Sequence, residues 1–436
     1  MKDKVALYTL GCKLNFAETS VIGNKFTEKG YGLVDFNEAA DVYVINTCTV
    51  TENTERECRQ IVRRALKNNP NASVIVTGCY AQLRPEEIAA IDGVDLVLGS
   101  NEKFEILDYL ENKNQNKLSC INVTPLDNLN QFNIAYSTEA DGRTRAFLKV
   151  QDGCDYSCTY CTIPLARGGS RSSEMNLAVD NFKKLLDEGY KEVVLTGVNV
   201  GDYGKNADKD LFDLLLEFVK LEGDFRLRIS SIEPNLLTDN ILKLAASTDK
   251  ISNHFHIPLQ SGNNKILKLM QRRYNAAYYE ELIYKTVEMV NNVGIGVDVI
   301  VGFPGETEDD FLVTYEFLKK LPISYLHVFT YSERPDTKAI NMNGQIPIAE
   351  RKDRNRMLRI LSEKKHFEFA QRMTGKNLQV LFEANKKDEF IYGFTSNYLR
   401  VKYPFDSALV NKFKNVNIKD VTGKVCTAEL INLELV

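Results

Sequence analysis

The chain has 436 residues, 44% hydrophobic and 26% charged, with nine cysteines and a net charge of −4. At roughly 150 residues per domain that length points to about three cores. No run of about 18 apolar residues exists to span a bilayer, and the opening MKDKVALYTLGCKLNF lacks the apolar stretch of a secretory signal, so a cytoplasmic protein without membrane contact is expected. Reduced thiols in that compartment argue for metal or redox chemistry over a disulfide framework.

The charge is uneven. Residues 350–436 carry 17 Lys and Arg against 11 Asp and Glu, a net +6, and the preceding residues carry 38 against 48, a net −10. A basic tail on an acidic body suits a polyanion held at one end, although surface charge also varies by chance.

Along residues 1–112, the apolar runs VALYTL (5–10), DVYVIN (41–46), SVIVTG (73–78) and DLVLG (95–99) alternate with helical segments near 17–29, 53–68 and 102–112. This pattern predicts an open parallel α/β sheet, whose function gathers at the carboxyl ends of its strands. Residues 113–143, rich in Asn and Gln, read as a linker that carries at most a short strand pair. From 144 to 347 a second alternation runs through FLKVQ, EVVLTG, RLRISS, FHIPL, GVDVIV and YLHVFTY. Six β/α units are too few for a closed eight-stranded barrel, so a partial (βα)6 barrel is expected. A charged helix follows at 348–372, with Met357, Leu358, Leu361 and Phe369 placed to pack on the barrel. The last segment, 373–436, holds strands NLQVLFEA, EFIYGFTS, NYLRVKYP and VCTAELINLEL, which predict a small antiparallel β-barrel of a type that often binds nucleic acid.

Cys154, Cys158 and Cys161, spaced C-x3-C-x2-C, follow the first barrel strand. Three thiolates hold three irons of a cubane and leave the fourth open, which an activating cluster needs. The alternative is zinc, which normally takes four ligands in paired spacings. Cys12, Cys48 and Cys79 each lie just beyond a predicted strand, so all three reach one edge of the first sheet, as a second cluster site or as three buried core thiols. Cys58, Cys120 and Cys426 read as structural. The four histidines, His254, His256, His327 and His366, show no metal or triad spacing and also read as structural.

TLGCKLNFAET, NTCTV and TGCYAQ, then GCDYSCTYCTIPLARGGSRS, IPLQSGNNKILKLMQRRY and IVGFPGET, occur in an order that resembles the radical SAM methylthiotransferases over essentially the whole chain; the final segment resembles the TRAM domain. The resemblance implies a 4Fe-4S cluster on Cys154, Cys158 and Cys161, whose open iron takes S-adenosylmethionine (SAM), and an auxiliary 4Fe-4S cluster on Cys12, Cys48 and Cys79 that handles the transferred sulfur. It further implies a tRNA anticodon loop as partner, an electron donor such as flavodoxin or ferredoxin, and a monomer. The stretch after Cys12 resembles the branch acting on N6-threonylcarbamoyladenosine; the isopentenyladenosine and ribosomal-protein branches are the alternatives.

For SAM itself, radical SAM barrels point to the second strand end, Thr196, Gly197, Val198 and Asn199. The third, fourth and fifth strand ends offer Ser230, Ser231 and Glu233, then Gln260 and Ser261, then Gly302, Phe303, Pro304 and Gly305. Tyr160 is placed near the adenine, and Arg167 and Arg171 suit a carboxylate of SAM or of the substrate. Each strand-end residue also has a plain reading as turn chemistry. Two rival functions are a non-catalytic iron–sulfur RNA-binding protein, which gains nothing from an open iron, and another radical SAM enzyme, which has no need of Cys12, Cys48 and Cys79.

Overall fold

Six parallel strands form the N-terminal sheet of the computed structural model, in the order Gly32–Val34, Lys4–Thr9, Val42–Thr47, Ser73–Gly78, Leu96–Leu98 and Cys120–Asn122. The structure describes residues 3–49, 54–113, 120–126, 132–136, 144–205 and 207–431. Val42–Thr47 is buried throughout, because helices cover both faces of the sheet. Ile22 and Phe26 of helix Lys13–Glu28 pack on one face, and Ile61, Val62 and Ala65 of helix Thr54–Asn68 pack on the other. Strand order reverses around Lys4–Thr9, which opens a crevice at the carboxyl ends of that strand and Val42–Thr47.

Two strands escape the periodicity. Gly32–Val34 and Cys120–Asn122 have three residues each and form the two edges of the sheet, where no long apolar run marks them. The second also corrects the linker expectation: it extends the N-terminal sheet, while Ala135–Tyr136 pairs antiparallel with Arg145–Lys149. The segment therefore holds no strand pair of its own among its described residues.

Strands Arg145–Lys149, Glu192–Thr196, Arg226–Ile229, His254–His256, Gly294–Val301 and Tyr325–Thr330 follow in parallel around a curved wall, with bridges Leu227↔Ile251 and Ser231↔His256 joining its two halves. Alternate residues face an outer helical layer, where Val297, Val299 and Val301 join the largest core. Helix Lys13–Glu28 packs on Arg145–Lys149, so the N-terminal unit lies along the open side of the wall.

The charged helix spans Ile348–Arg372. Leu358 and Leu361 enter the barrel core, but Phe369 belongs to the C-terminal core, and Met357 is exposed, which corrects its expected packing. Nor is the charge all at the surface: Arg351, Arg354 and Lys365 are buried. Arg354 pairs with Glu306 at 2.7 Å, and Lys365 donates to the Lys319 and Leu321 carbonyls at 2.6 and 2.7 Å, capping the end of helix Glu308–Lys320.

The C-terminal barrel closes with five strands, in the order Asn377–Lys387, Phe390–Thr395, Arg400–Pro404, Val425–Leu430 and Phe413–Thr422. The strand missed from sequence, Phe413–Thr422, carries a register shift between Ile418 and Asp420 that breaks its alternation. Among the described residues no helix is long and apolar enough to cross a membrane.

Candidate cluster and cofactor site

Gly153, with φ of 73°, turns the first barrel strand into the loop that carries Cys154, Cys158 and Cys161. A Cβ there would collide with the Gly169 carbonyl, so glycine is required. The Tyr156 and Ile163 amides donate to the Cys154 and Cys161 sulfurs at 3.4 Å each, and Arg272 Nη1 donates to Cys158 Sγ at 3.1 Å. Hydrogen bonds of this kind suit cluster sulfurs and tune them. Burial pushes the Cys154 thiol up to about 11 and Cys161 to about 12, so a metal must displace a proton from each at neutral pH.

A cavity of about 370 Å³ opens in front of the three cysteines, within the size range of small-molecule sites. Tyr160, Asn199, Ser231, Glu233 and Gln260 line it. Gln260 has φ of 70°, a left-handed conformation that a non-glycine residue adopts at a cost and that gathers at ligand sites.

Five other expected contacts lie elsewhere. Thr196 is buried in the barrel wall. Gly197 packs on Gln151, whose Oε1 would lie 2.9 Å from a Cβ. The Gly302 amide donates to Glu306 at 2.7 Å, and the residue faces the side chain of Arg351 in the long helix. Arg171 donates to the carbonyls of Arg167 and Gly169 at 2.8 and 2.9 Å and borders a separate surface cavity. Arg167 is 1% exposed at the interface with the N-terminal unit, its guanidinium already bonded to Glu18, Asp152, Asn15 and Cys79.

The structure adds Arg272, Asp298 and Thr49 to the cavity wall. The paired arginines of MQRRY signalled the first, since Arg272 also contacts Glu233 and Tyr274. Asp298, a lone carboxylate within the apolar run GVDVIV, signalled the second.

Cys12 caps helix Lys13–Glu28, Cys48 follows Val42–Thr47, and Cys79 opens helix Cys79–Leu83. Gly11, with φ of 107°, approaches so closely that a Cβ would lie 2.7 Å from Cys48 Sγ, which sets the first two cysteine loops against each other. Asn15 ties the same loops, donating to the Leu10 and Thr47 carbonyls at 2.8 and 3.0 Å. Its Oδ1 accepts from Arg167 at 2.7 Å, and Arg167 Nε donates to Cys79 Sγ at 3.2 Å. Thr49, next to Cys48, meets the hydroxyl of Thr162, next to Cys161, at 3.4 Å.

Buried charge surrounds this junction. Glu18 pairs with Lys103, Lys149 and Arg167 at 2.7, 3.0 and 3.0 Å, and Asp152 pairs with Lys149 and Arg167 at 2.7 and 2.9 Å. Burial alone would raise the Glu18 carboxyl, but Arg167, Lys103 and Lys149 hold it well below its usual range. Lys103, Lys149 and Arg167, with Arg171 3.8 Å from Asp152, outnumber the two carboxylates and leave positive charge beside Cys79. Burial raises that thiol and Arg167 opposes the rise, which suits an anionic sulfur ligand.

Cys58 and Cys426 are buried in the N-terminal and C-terminal cores; the Cys120 side chain lies outside the described residues. Among the described residues no three His, Cys, Asp or Glu side chains, the two cysteine triads included, are grouped closely enough to hold a single metal ion. The histidine expectation needs correction: His256 Nε2 lies 2.7 Å from Asp298 Oδ1, and the His256 and His327 rings stack with centroids 5.3 Å apart.

Comparison with known proteins gives two family matches, residues 4–99 to Uncharacterized protein family UPF0004 and residues 148–318 to the Radical SAM superfamily. The chain is 44% identical to threonylcarbamoyladenosine tRNA methylthiotransferase MtaB of Aquifex aeolicus, covering 92% of this chain and 96% of the relative. It is 39% identical to MtaB of Bacillus subtilis, over 95% of this chain and 93% of the relative. The tRNA-2-methylthio-N(6)-dimethylallyladenosine synthase of Aquifex aeolicus is 34% identical over 96% of both chains. Among solved structures, the radical S-adenosylmethionine methyltransferase TsrM of Kitasatospora setae superposes with a TM-score of 0.58 at 14% identity, covering 90% of this chain and 81% of that one. That likeness is one of fold.

Proposed function

The chain belongs to the radical SAM methylthiotransferases, a family of transferases that use an iron–sulfur cluster and SAM, and from that premise we propose that it inserts a methylthio group at C2 of N6-threonylcarbamoyladenosine, next to the anticodon of tRNA. The observation that carries this reading is the contact between Thr49 and Thr162 at the rim of one cavity. Each threonine adjoins a cysteine of a different triad, which supports a reading in which both triads serve one substrate space.

Under this reading Cys154, Cys158 and Cys161 hold the cluster that binds SAM, and Cys12, Cys48 and Cys79 hold an auxiliary 4Fe-4S cluster. The bound groups supply one-electron chemistry for a strong C–H bond that no side-chain base removes at neutral pH. The residues of the chain position the reactants. Tyr160, Asn199, Ser231, Glu233 and Gln260 hold SAM, Arg272 fixes Cys158 and Glu233, and Arg167 clamps Cys79 to the barrel. Residues 1–112 form the auxiliary-cluster unit, 144–347 the radical SAM barrel, 348–372 the connecting helix and 373–436 the RNA-binding barrel. A single-stranded anticodon loop lets the modified adenine leave its stack for at most a few kcal/mol. The enzyme works as a cytoplasmic monomer with an external electron donor such as flavodoxin or ferredoxin.

Mass spectrometry of tRNA nucleosides from cells lacking the chain tests this reading. Loss of methylthio-threonylcarbamoyladenosine alone is the expected result; loss of the isopentenyl counterpart instead transfers the assignment to that substrate.

A further inference from the structure

The residues proposed to hold SAM occupy one half of the cluster cavity. Asn199, Ser231, Glu233 and Gln260 follow the second, third and fourth barrel strands, and Tyr160 belongs to the cysteine loop. The other half comes from the fifth and sixth strands. Register sets Asp298 beside His327 and Ile300 beside Phe329. All four face the barrel interior, because the alternate residues Val297, Val299 and Val301 pack in the outer core. Asp298, Ile300 and Phe329 line the cavity, and Thr330, Ser332 and Arg334 continue the same wall.

This half combines an open aromatic ring with one fixed acceptor. Phe329 is 45% exposed although it points inward, so its ring offers a face on which a flat ligand can stack. Beside it, Asp298 Oδ1 lies 2.7 Å from His256 Nε2, a bond that holds the carboxylate in place. Among the described residues its Oδ2 has no hydrogen-bond partner. A carboxylate only accepts, so a ligand that fits brings a donor beside a flat ring. Phe329 also borders a second cavity of about 220 Å³, lined by Arg359 of the long helix and Lys424 of the C-terminal barrel. Lys424 pairs there with Glu363 at 3.6 Å, and Arg359 adds a further positive charge. Positive charge outside an aromatic slot matches a nucleic acid strand, with phosphates in the groove and a base on the ring.

An adenine substituted once on N6 keeps one N–H there, the only donor of its ring system, whereas N1, N3 and N7 accept. A base taken out of its stack is read by stacking and by hydrogen bonds to its edge. We propose that the target adenine stacks on Phe329 and donates its N6–H to Asp298, with His256 as the residue that positions the carboxylate. The cysteine loops follow strand ends, and Asp298 lies inside strand Gly294–Val301, below them. A base anchored there by N6 directs C2, at the far end of its six-membered ring, back toward the cysteines. The inference rests on an N6-modified adenosine of tRNA as the substrate and adds the residues that hold it.

The test measures the affinity of the anaerobically reconstituted full-length chain for three tRNAs: one bearing threonylcarbamoyladenosine at the target position, one whose N6 also carries a methyl group and so has no N–H, and one with an abasic residue there. Loss of a hydrogen bond to a charged group should weaken binding of the N6-methyl tRNA to wild type about tenfold or more. Asp298→Ala should bind both modified tRNAs equally, at the weakened level. Phe329→Ala should weaken the threonylcarbamoyl tRNA about tenfold and leave the abasic tRNA unchanged, and Phe329→Tyr should retain wild-type affinity. His256→Gln, which still donates to Asp298, should keep the discrimination between the two modified tRNAs, and His256→Phe should lose it. SAM binding should stay at the wild-type level in the Asp298 and Phe329 variants. An N6-methyl penalty in Asp298→Ala equal to that of wild type overturns the acceptor, and a loss in Phe329→Ala that is as large on the abasic tRNA overturns the stack. Weakened SAM binding with unchanged tRNA affinity overturns both and gives this half of the cavity to the cofactor. If wild type methylthiolates tRNA bearing dimethylallyladenosine and not the threonylcarbamoyl form, the proposed substrate falls, and the same N6-methyl and abasic comparisons on that tRNA decide the pocket.

Discussion

Two arginines link the cysteines to the rest of the molecule, and they do so differently. Arg167 is locked among Glu18, Asp152, Asn15 and Cys79, and belongs to a network that bridges two folding units. Removing one member of such a network leaves uncompensated buried charge, which costs about 3–5 kcal/mol. Glu18→Gln should therefore lower unfolding stability by that amount in urea titration, and an exposed pair such as Lys220–Glu217, changed in the same way, should alter it by about 0–1 kcal/mol. Arg272 holds Cys158 and Glu233 at the cavity wall. Since its guanidinium bonds several partners at once, lysine does not replace it. Arg272→Lys should change the electron paramagnetic resonance spectrum of the SAM-binding cluster and weaken SAM binding about tenfold, with total iron unchanged.

At the scale of elements, the buried carboxylate Glu192 anchors the arginines that join the barrel to the C-terminal barrel. Burial alone would raise Glu192, yet Arg226 and Arg228 hold it far below the usual carboxylate range. The same arginines donate to the carbonyls of Phe394, Thr395 and Ser396 across the junction. A depressed carboxyl contributes stability that is complete above its unfolded value of about 4.3 and is lost as pH falls through its folded value. Thermal unfolding of wild type should weaken below about pH 4, and Glu192→Gln should flatten that part of the profile while lowering stability near neutrality.

These elements also show what was legible in the sequence. The strands carrying Cys12, Cys48 and Cys79 were readable because burial on both faces makes them continuous apolar runs. The short edge strands Gly32–Val34 and Cys120–Asn122 were not readable, and Phe413–Thr422 was masked by its bulge. The loop cysteines announced themselves by spacing, and Asn199, Ser231, Glu233 and Gln260, which line the cavity in front of them, by their position at strand ends. Thr196, Gly197 and Gly302 do not line that cavity, because a strand end faces either the cavity or the outer layer and local sequence does not say which. The pairing of His256 with Asp298, 42 residues apart, is set by register between strands and has no local signature.

In the whole molecule, the N-terminal sheet sets its cysteine crevice against the open side of the barrel, and the C-terminal barrel closes the opposite end of the interior. The basic tail then lies with the unit that closes that end. Lys412 and Lys414 are exposed there, and changing both to Glu should weaken tRNA binding and reduce its dependence on salt, because each phosphate contact contributes to that slope. The most direct measurement of the central claim is iron content and SAM cleavage by anaerobically reconstituted protein, wild type against Cys12→Ala/Cys48→Ala/Cys79→Ala. Two four-iron clusters predict about eight irons per chain, falling to about four in the variant, which still cleaves SAM to 5′-deoxyadenosine but transfers no sulfur to tRNA. Iron that stays at the wild-type level, or disappears altogether, would contradict two separate cysteine triads serving one cavity.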